Sequence, residues 1–291
     1  MGWGLGAARP KKAGCGLERP TKRAQAPKLT AVPHCKFWRC KNKMQKGRVA
    51  LLLKKQKSRP VVKVGVVVVA AGSSRRMGGV DKQDILLNNI PVVVRSIEPF
   101  SWFQEVEEIV VVCREEFMPQ MLFYTEEFGL QKIKAIIKGG STRQQSVMAG
   151  IQALAPDTQF YAIHDGARPF VTGDVIANCI AESVRWGAAT AAVPTKDTIK
   201  IAGADGFIDA TPPRESLFLT QTPQIFEAAL YRRAVEEAQR QGLEFTDDCQ
   251  LVENLGHKVR LSRGSYFNIK ITTPEDMPVA QAIAQALDEN T

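Results

Sequence analysis

From residue 64 onward, short aliphatic runs alternate with stretches of helical spacing. Val66–Val69 is an unbroken β-branched run, which predicts a strand buried on both faces. Glu108–Cys113, Ile133–Ile137, Phe160–Ile163 and Ala188–Val193 repeat the signal in weaker form. Between these runs, Pro91–Ile97, Phe117–Phe128 and Val175–Trp186 read as helices. A further helix opens at Ser141 or Thr142, where S-x-x-Q supplies a capping box and Val147, Ile151 and Leu154 fall on one face. Strand and helix in strict alternation predict a mainly parallel sheet flanked by helices, an α/β fold.

The alternation breaks between Thr195 and Pro223. Thr198–Ile201 and Phe207–Ala210 bracket Gly203-Ala204-Asp205-Gly206, a turn-rich tip, so residues of about 197–221 are expected to form a hairpin arm. Ile225–Gln241 then reads as a helix, Asp247–Leu255 as a shorter one, and Lys258–Ser262 as a strand. The last helix is expected to start at Thr273-Pro274-Glu275, with Val279, Ile283 and Leu287 as its buried stripe.

Charge divides the chain differently. Residues 1–63 hold 18 of the 39 Lys and Arg and only one acid, Glu18, a net +17, whereas residues 64–291 carry a net −8. The basic character therefore belongs to an N-terminal extension, 1–63, and not to the body, 64–291. The extension has no sustained apolar period, and disorder is the expectation from its composition. It lacks the apolar core of a secretory signal, and no Ser precedes Ser58, which favours bacterial cytoplasm over a plastid. His34, Cys35 and Cys40 match no zinc spacing. Cys113, Cys179 and Cys249 fall in apolar segments, as buried thiols in a reducing compartment do. No run of about eighteen apolar residues occurs, so no membrane span is expected.

Chemistry concentrates where strands should end. After Val69, Ala70, Ala71 and Gly72 shed side-chain bulk, and Ser73, Ser74, Arg75, Arg76 and Lys82 follow with hydroxyls and positive charge. A bare backbone beside clustered cations suits phosphates. The stretch is neither a Walker loop nor a dinucleotide fingerprint. Gly139-Gly140 before a capped helix, His164-Asp165-Gly166-Ala167-Arg168 and Asn268-Ile269-Lys270 add three further polar turns at the same expected edge. Asp165 reads either as a metal or phosphate-orienting group or as a partner for Arg168. Lys270, set in an apolar run, needs an anionic partner. No Ser-His-Asp or Cys-His arrangement is evident, so electrostatic chemistry such as phosphoryl or nucleotidyl transfer is favoured.

The ordered set AAGSSRRM, DKQ, GGSTRQQSV, HDGARP, DTIK, PPRE, TQTPQ, TDD and NIKITTPEDM resembles the methylerythritol phosphate cytidylyltransferase family from Val64 to the C-terminal helix. The resemblance implies a Rossmann-like nucleotidyltransferase fold with a β-hairpin dimerisation arm. It implies that CTP and 2-C-methyl-D-erythritol 4-phosphate give a CDP-alcohol and pyrophosphate in non-mevalonate isoprenoid synthesis, with Mg²⁺ as the metal. Carried over by motif, Arg76, Lys82 and Lys270 act on the reacting phosphates. Ala70, Ala71, Gly72, Gly140, Ser146 and Asp165 meet the nucleotide, with Asp165 also near the metal. Ala167, Arg168, Thr198, Arg214 and Thr222 meet the polyol phosphate, Thr198 and Arg214 by reaching into a neighbouring subunit of a homodimer. Asp81, Asp84 and the Asn88-Asn89 pair depart from the family's commonest pattern. A ribitol-5-phosphate cytidylyltransferase would keep nearly all these motifs, and a sugar-1-phosphate nucleotidyltransferase fits them less well. Nucleic-acid binding through the basic extension is a separate alternative, one the acidic body disfavours as the main function.

Overall fold

A computed structural model describes residues 62–72, 77 and 81–289; the expectations for residues 1–61, including disorder, a metal cluster and nucleic-acid binding, lie outside the described residues. The central sheet is built from β1 (Val64–Ala70), β4 (Val106–Cys113), β5 (Ile133–Lys138), β6 (Phe160–Asp165), β7 (Ala188–Pro194), β10 (Phe218–Glu227) and β11 (Arg260–Arg263). Their order is β11-β7-β10-β6-β1-β4-β5. β1 pairs in parallel with both β4 and β6, β4 with β5, and β7 with β11, while β10 runs antiparallel between β6 and β7.

The β-branched run of β1 explains its central place. Val66 and Val68 join one core with Ile109, Val111, Phe100 and Ile176 of helix α4 (Gly173–Trp186). Val67 joins the opposite core with Val110 and Val112. That second core is covered by α3 (Arg143–Gln152), α5 (Ala228–Gln241) and α6 (Asp248–Asn254). A strand apolar on both faces needs helices on both sides, which is what α4 and the α3, α5, α6 layer supply. Cys113, Cys179 and Cys249 are buried free thiols within these cores.

Smaller elements frame the sheet. Strands β2 (Leu86–Leu87) and β3 (Ile90–Pro91) form a tight hairpin whose turn residues, Asn88 and Asn89, have φ of 49° and 63°. Asparagine tolerates this left-handed backbone, so the turn closes without glycine. Helix α1 (Val92–Ile97) follows directly, and Arg95 on it ion-pairs with Asp288 at 2.8 Å in the last helix, α7 (Asp276–Glu289). Helix α2 (Met118–Glu127) packs Met121 and Tyr124 into the first core. Val62 is buried and Lys63 Nζ lies 2.5 Å from Asp157, so these two residues pack with the body.

Several element boundaries differ from expectation: Pro91 ends β3, the first strand of the arm begins only at Ile201, β11 runs Arg260–Arg263, and two others shift further. Ile225–Glu227 end strand β10 and do not begin a helix; α5 starts at Ala228. The strand escapes its pattern because Gln221, Thr222 and Gln224 are buried polar residues, which read as loop in a hydrophobic profile. Helix α7 starts at Asp276, whose carboxylate accepts hydrogen bonds from the Thr272 and Thr273 amides at 2.7 and 2.9 Å. Its buried residues are Ala280, Ile283 and Ala284, and Val279 is exposed. The expected arm is present as β8 (Ile201–Ala202) paired antiparallel with β9 (Ile208–Ala210).

Candidate active site

Because β1, β4, β5 and β6 are parallel, their carboxyl ends share one edge. The connections from β1 lead to β4 and β5 on one side and towards β6, β7 and β11 on the other, so the edge above β1 and β6 is the topological switch point, where open α/β sheets bind ligands. Val69 is in register with Asp165 there, and the Gly166 amide donates to Val69 O at 2.9 Å.

Asp165 is the hub of the charge at this edge. Lys270 Nζ lies 2.9 Å and Arg168 Nε 3.3 Å from Oδ2, and an Arg143 guanidinium nitrogen lies 4.0 Å from Oδ1. Burial alone would raise the Asp165 pKa, but Lys270, Arg168 and Arg143 together hold it well below the ordinary carboxylate range. The anionic partner that Lys270 requires is therefore Asp165, and Asp165 also pairs with Arg168 as its spacing suggested. Arg143 is shared with Asp248, so three cations and two carboxylates leave the cluster with one positive charge in excess. It is suited to a polyanion.

Neighbouring backbone fixes the cluster from three sides. Arg168 also donates to Asn268 O at 2.8 Å, and the Ile271 amide donates to Ala167 O at 2.9 Å. Lys82 Nζ donates to Ile271 O at 3.4 Å, which brings the Lys82 turn to the Lys270 segment. Thr222 Oγ1 accepts from the Asp165 amide at 3.0 Å and lies 2.9 Å from His164 Nδ1. Burial pushes the His164 imidazole down to about 3, so it is neutral where it meets Thr222. Asn268 Nδ2 donates to Thr222 O at 2.9 Å, closing the loop of contacts.

A second group of expected residues meets beside β1. A Cβ on Gly139 would come within 2.4 Å of the Ala71 Cβ and 3.0 Å of Ser146 Oγ, so glycine there permits the close approach of the β5 turn to the end of β1. The Gly140 amide donates to Ser146 Oγ at 3.1 Å, and Ser146 Oγ donates to Thr142 O at 3.0 Å. Of the two expected starts, Thr142 caps α3, its hydroxyl accepting from the Gln145 amide at 3.2 Å; the Ser141–Gln144 capping box does not form, Gln144 Oε1 accepting instead from the Phe245 amide. Ala70 and Ala71 line the same place, with Gly72 following.

Arg76 lies outside the described residues. Thr198 and Arg214 are exposed on the arm, where Arg214 donates to Lys196 O at 3.2 Å; the contacts of the Asp165 cluster do not include them. Sequence reading assigned no role to Arg143, Asp248, Tyr231 or His164. Arg143 pairs closely with buried Asp248, which also accepts from Tyr231 OH at 2.7 Å. The signal was present in the STRQ and TDD motifs, but nothing in their spacing says that an arginine and a carboxylate 105 residues apart meet.

Comparison with known proteins decides the family. The sequence pattern of 2-C-methyl-D-erythritol 4-phosphate cytidylyltransferase matches residues 64–286. The chain belongs to this cytidylyltransferase family. A protein of that name from Pelotomaculum thermopropionicum is 44% identical over 228 residues, covering 77% of this chain and 95% of its own. The one from Desulforamulus reducens is 45% identical over 219 residues, covering 74% and 93%. Among solved structures, 4-diphosphocytidyl-2C-methyl-D-erythritol synthase from Anaerococcus prevotii superposes with a TM-score of 0.70 at 30% identity, covering 77% of this chain and 97% of that one. The Thermus thermophilus cytidylyltransferase gives 0.63 at 31%, covering 77% and 100%. The Rossmann-like nucleotidyltransferase fold expected for the family is the fold observed.

Proposed function

We propose that the chain transfers the CMP unit of CTP to 2-C-methyl-D-erythritol 4-phosphate, releasing pyrophosphate. The observation that carries this reading is membership of the cytidylyltransferase family across residues 64–286, with a net cationic cluster at the switch point of the sheet. The names of the relatives favour this acceptor over ribitol 5-phosphate and over a sugar 1-phosphate.

The reaction needs little acid–base help from the protein. The attacking phosphate monoester has a second pKa of roughly 6 and is mostly dianionic near neutral pH. His164 is buried, and its Nδ1 is taken by Thr222, so it serves to shape the Asp165 turn and not as a base. Lys82, Lys270 and Arg168 are proposed to bring two anions together and stabilise the charge that builds on the α-phosphorus, with Arg76 as a further cation. Asp165 fixes Lys270 and Arg168. Ala70, Ala71, Gly72, Gly140 and Ser146 are proposed to face the nucleotide, where the bare β1 end leaves space for it. Ala167 and Thr222, at the Asp165 turn, are proposed to meet the polyol phosphate.

Among the described residues, no three His, Cys, Asp or Glu side chains group in a way that could hold a metal ion. Mg²⁺, which binds through one or two carboxylates together with substrate phosphates, is the proposed metal. Asp165 is proposed to hold it through Oδ1, since Oδ2 is taken by Lys270 and Arg168. When bound, the ion would neutralise triphosphate charge.

The arm supports a homodimer with shared sites. Phe207 and Ile208 are 73% and 62% exposed, and Ile201 and Leu219 are also exposed. Such side chains on a protruding hairpin suit burial against a second copy, and Thr198 and Arg214 would then reach the partner's acceptor site. Bacterial cytoplasm is the proposed compartment, supported by bacterial relatives and by free buried thiols. Among the described residues no helix is long and apolar enough to cross a membrane. The test is pyrophosphate release with CTP and Mg²⁺, comparing methylerythritol phosphate with ribitol 5-phosphate. Release with the first alone is expected; release with the second alone would overturn the choice of acceptor.

A further inference from the structure

Lys82 sits between two acids of its own turn, Asp81 and Asp84, an arrangement at odds with a lysine assigned to a triphosphate. An unrestrained carboxylate beside that lysine would repel the incoming nucleotide and compete for the ammonium group. The structure shows where both go. Asp81 Oδ2 pairs with Arg114, the residue that follows β4, and Asp81 Oδ1 accepts from the Gln83 amide at 3.1 Å. Asp84 Oδ1 accepts from the Tyr124 hydroxyl on α2.

The turn itself is tightly tied. The Asp84 amide donates to Asp81 O at 3.0 Å, the Val93 amide to Gln83 O at 3.2 Å, and the Val92 amide to Ile85 O at 2.9 Å. Arg114 also lies 3.4 Å from Glu116, so its guanidinium spans two acids and is held in place. Tyr124 is buried, and burial together with Asp84 pushes its phenol upward, keeping it a proton donor. Both acids are thus fastened to the scaffold of the sheet.

We propose that Arg114 and Tyr124 are positioning residues for Lys82: they hold the Asp81 and Asp84 carboxylates against the end of β4 and against α2, so that the turn presents its lysine and not its acids to CTP. The inference rests on the assignment of Lys82 to the triphosphate. It makes Arg114 and Tyr124 matter only because Asp81 and Asp84 are charged. That dependence separates it from a merely structural role.

The experiment is a pair of double-mutant cycles read as KM for CTP and kcat. Arg114→Met is expected to raise KM for CTP about tenfold, with a smaller change in KM for the polyol phosphate. Adding Asp81→Asn is expected to restore KM to within about twofold of the starting protein, since the uncaged charge is gone. Tyr124→Phe, which removes one oxygen, is expected to raise KM about threefold and to be rescued by Asp84→Asn; this cycle carries the test if Arg114→Met does not fold. An unchanged KM in the folded single variants, or double variants as impaired as the singles, would overturn the inference. Lys82→Ala is run alongside. Near-normal turnover in Lys82→Ala would overturn the Lys82 assignment and the inference with it, whereas lost turnover there with an unaffected Arg114→Met would overturn the inference alone.

Discussion

Lys82 and Lys270 come from opposite ends of the body and are joined through one backbone segment, Lys82 reaching Ile271 O and Lys270 reaching Asp165. A cation that contacts charge developing on phosphorus acts mainly in the transition state, so Lys82→Ala should lower turnover by about 3 kcal/mol, a factor of about 150. The melting temperature should hardly move, because Lys82 is not part of a buried core; kinetics and a thermal melt on the same sample check both halves. His164 makes the opposite kind of prediction, one about stability. Its imidazole is neutral in the fold and titrates near 3, against an ordinary value of roughly 6.5, so between those values the unfolded chain binds the extra proton and stability falls as pH drops. Replacing it, as in His164→Asn, should remove about 2 kcal/mol of the stability lost between pH 6.5 and 5, measured by denaturant titration at each pH. An equal pH slope in both proteins would refute this. At this scale the sequence was informative where a residue type was out of place: a lysine in an apolar run and an aspartate at a strand end declared themselves. Arg143 was not out of place. An arginine in the first turn of a polar-faced helix looks like surface, and only the fold reveals Asp248 beneath it.

Elements were legible in proportion to how apolar their buried residues are. β1 and β4 announce themselves because their own buried side chains are almost all aliphatic, whereas β10 hides because Gln221, Thr222 and Gln224 take three of its buried positions and commit polar atoms to Ser265, Asp165 and Asp247. The same polar burial is what ties the strand to the edge that holds the candidate site. Close approach between elements was equally invisible, because glycine carries no pattern. Gly150 of α3 faces β1, and a Cβ there would come within 2.4 Å of Val67 Cγ1 and 2.9 Å of Val112 Cγ2. Gly150→Ala gains helix propensity of up to about 1 kcal/mol. The overpacking penalty of about 1 to 3 kcal/mol outweighs that gain, because both neighbours are buried in the sheet and have little room to shift. A net loss of stability is expected in denaturant unfolding, and a more stable variant would show that α3 moves away from β1 freely.

Over the whole molecule, a single chain leaves the proposed site residues divided. Asp165, Arg168, Lys270 and Thr222 form one cluster, while Thr198 and Arg214 stand on an exposed arm whose hairpin shows Ile201, Phe207 and Ile208 to solvent. If two copies exchange arms, each site combines Lys82 of one subunit with Arg214 of the other. Arg214→Ala alone and Lys82→Ala alone should then both be nearly inactive. Dissociating and mixing the two variants in equal amounts should regenerate activity, because in a mixed dimer the intact Lys82 of one chain meets the intact Arg214 of its partner. Random pairing makes half the dimers mixed with one good site in two, so the recovered rate should approach about a quarter of the parent value. A site built within one chain recovers nothing, since each subunit carries its own lesion wherever it pairs. Introducing Ile208→Arg into both variants should abolish the recovery and shift the protein to monomer in sedimentation velocity, by placing a charge where the arm must bury an apolar side chain. Recovery that survives as a monomer, or a dimer that forms but never complements, would each exclude shared sites through the arm.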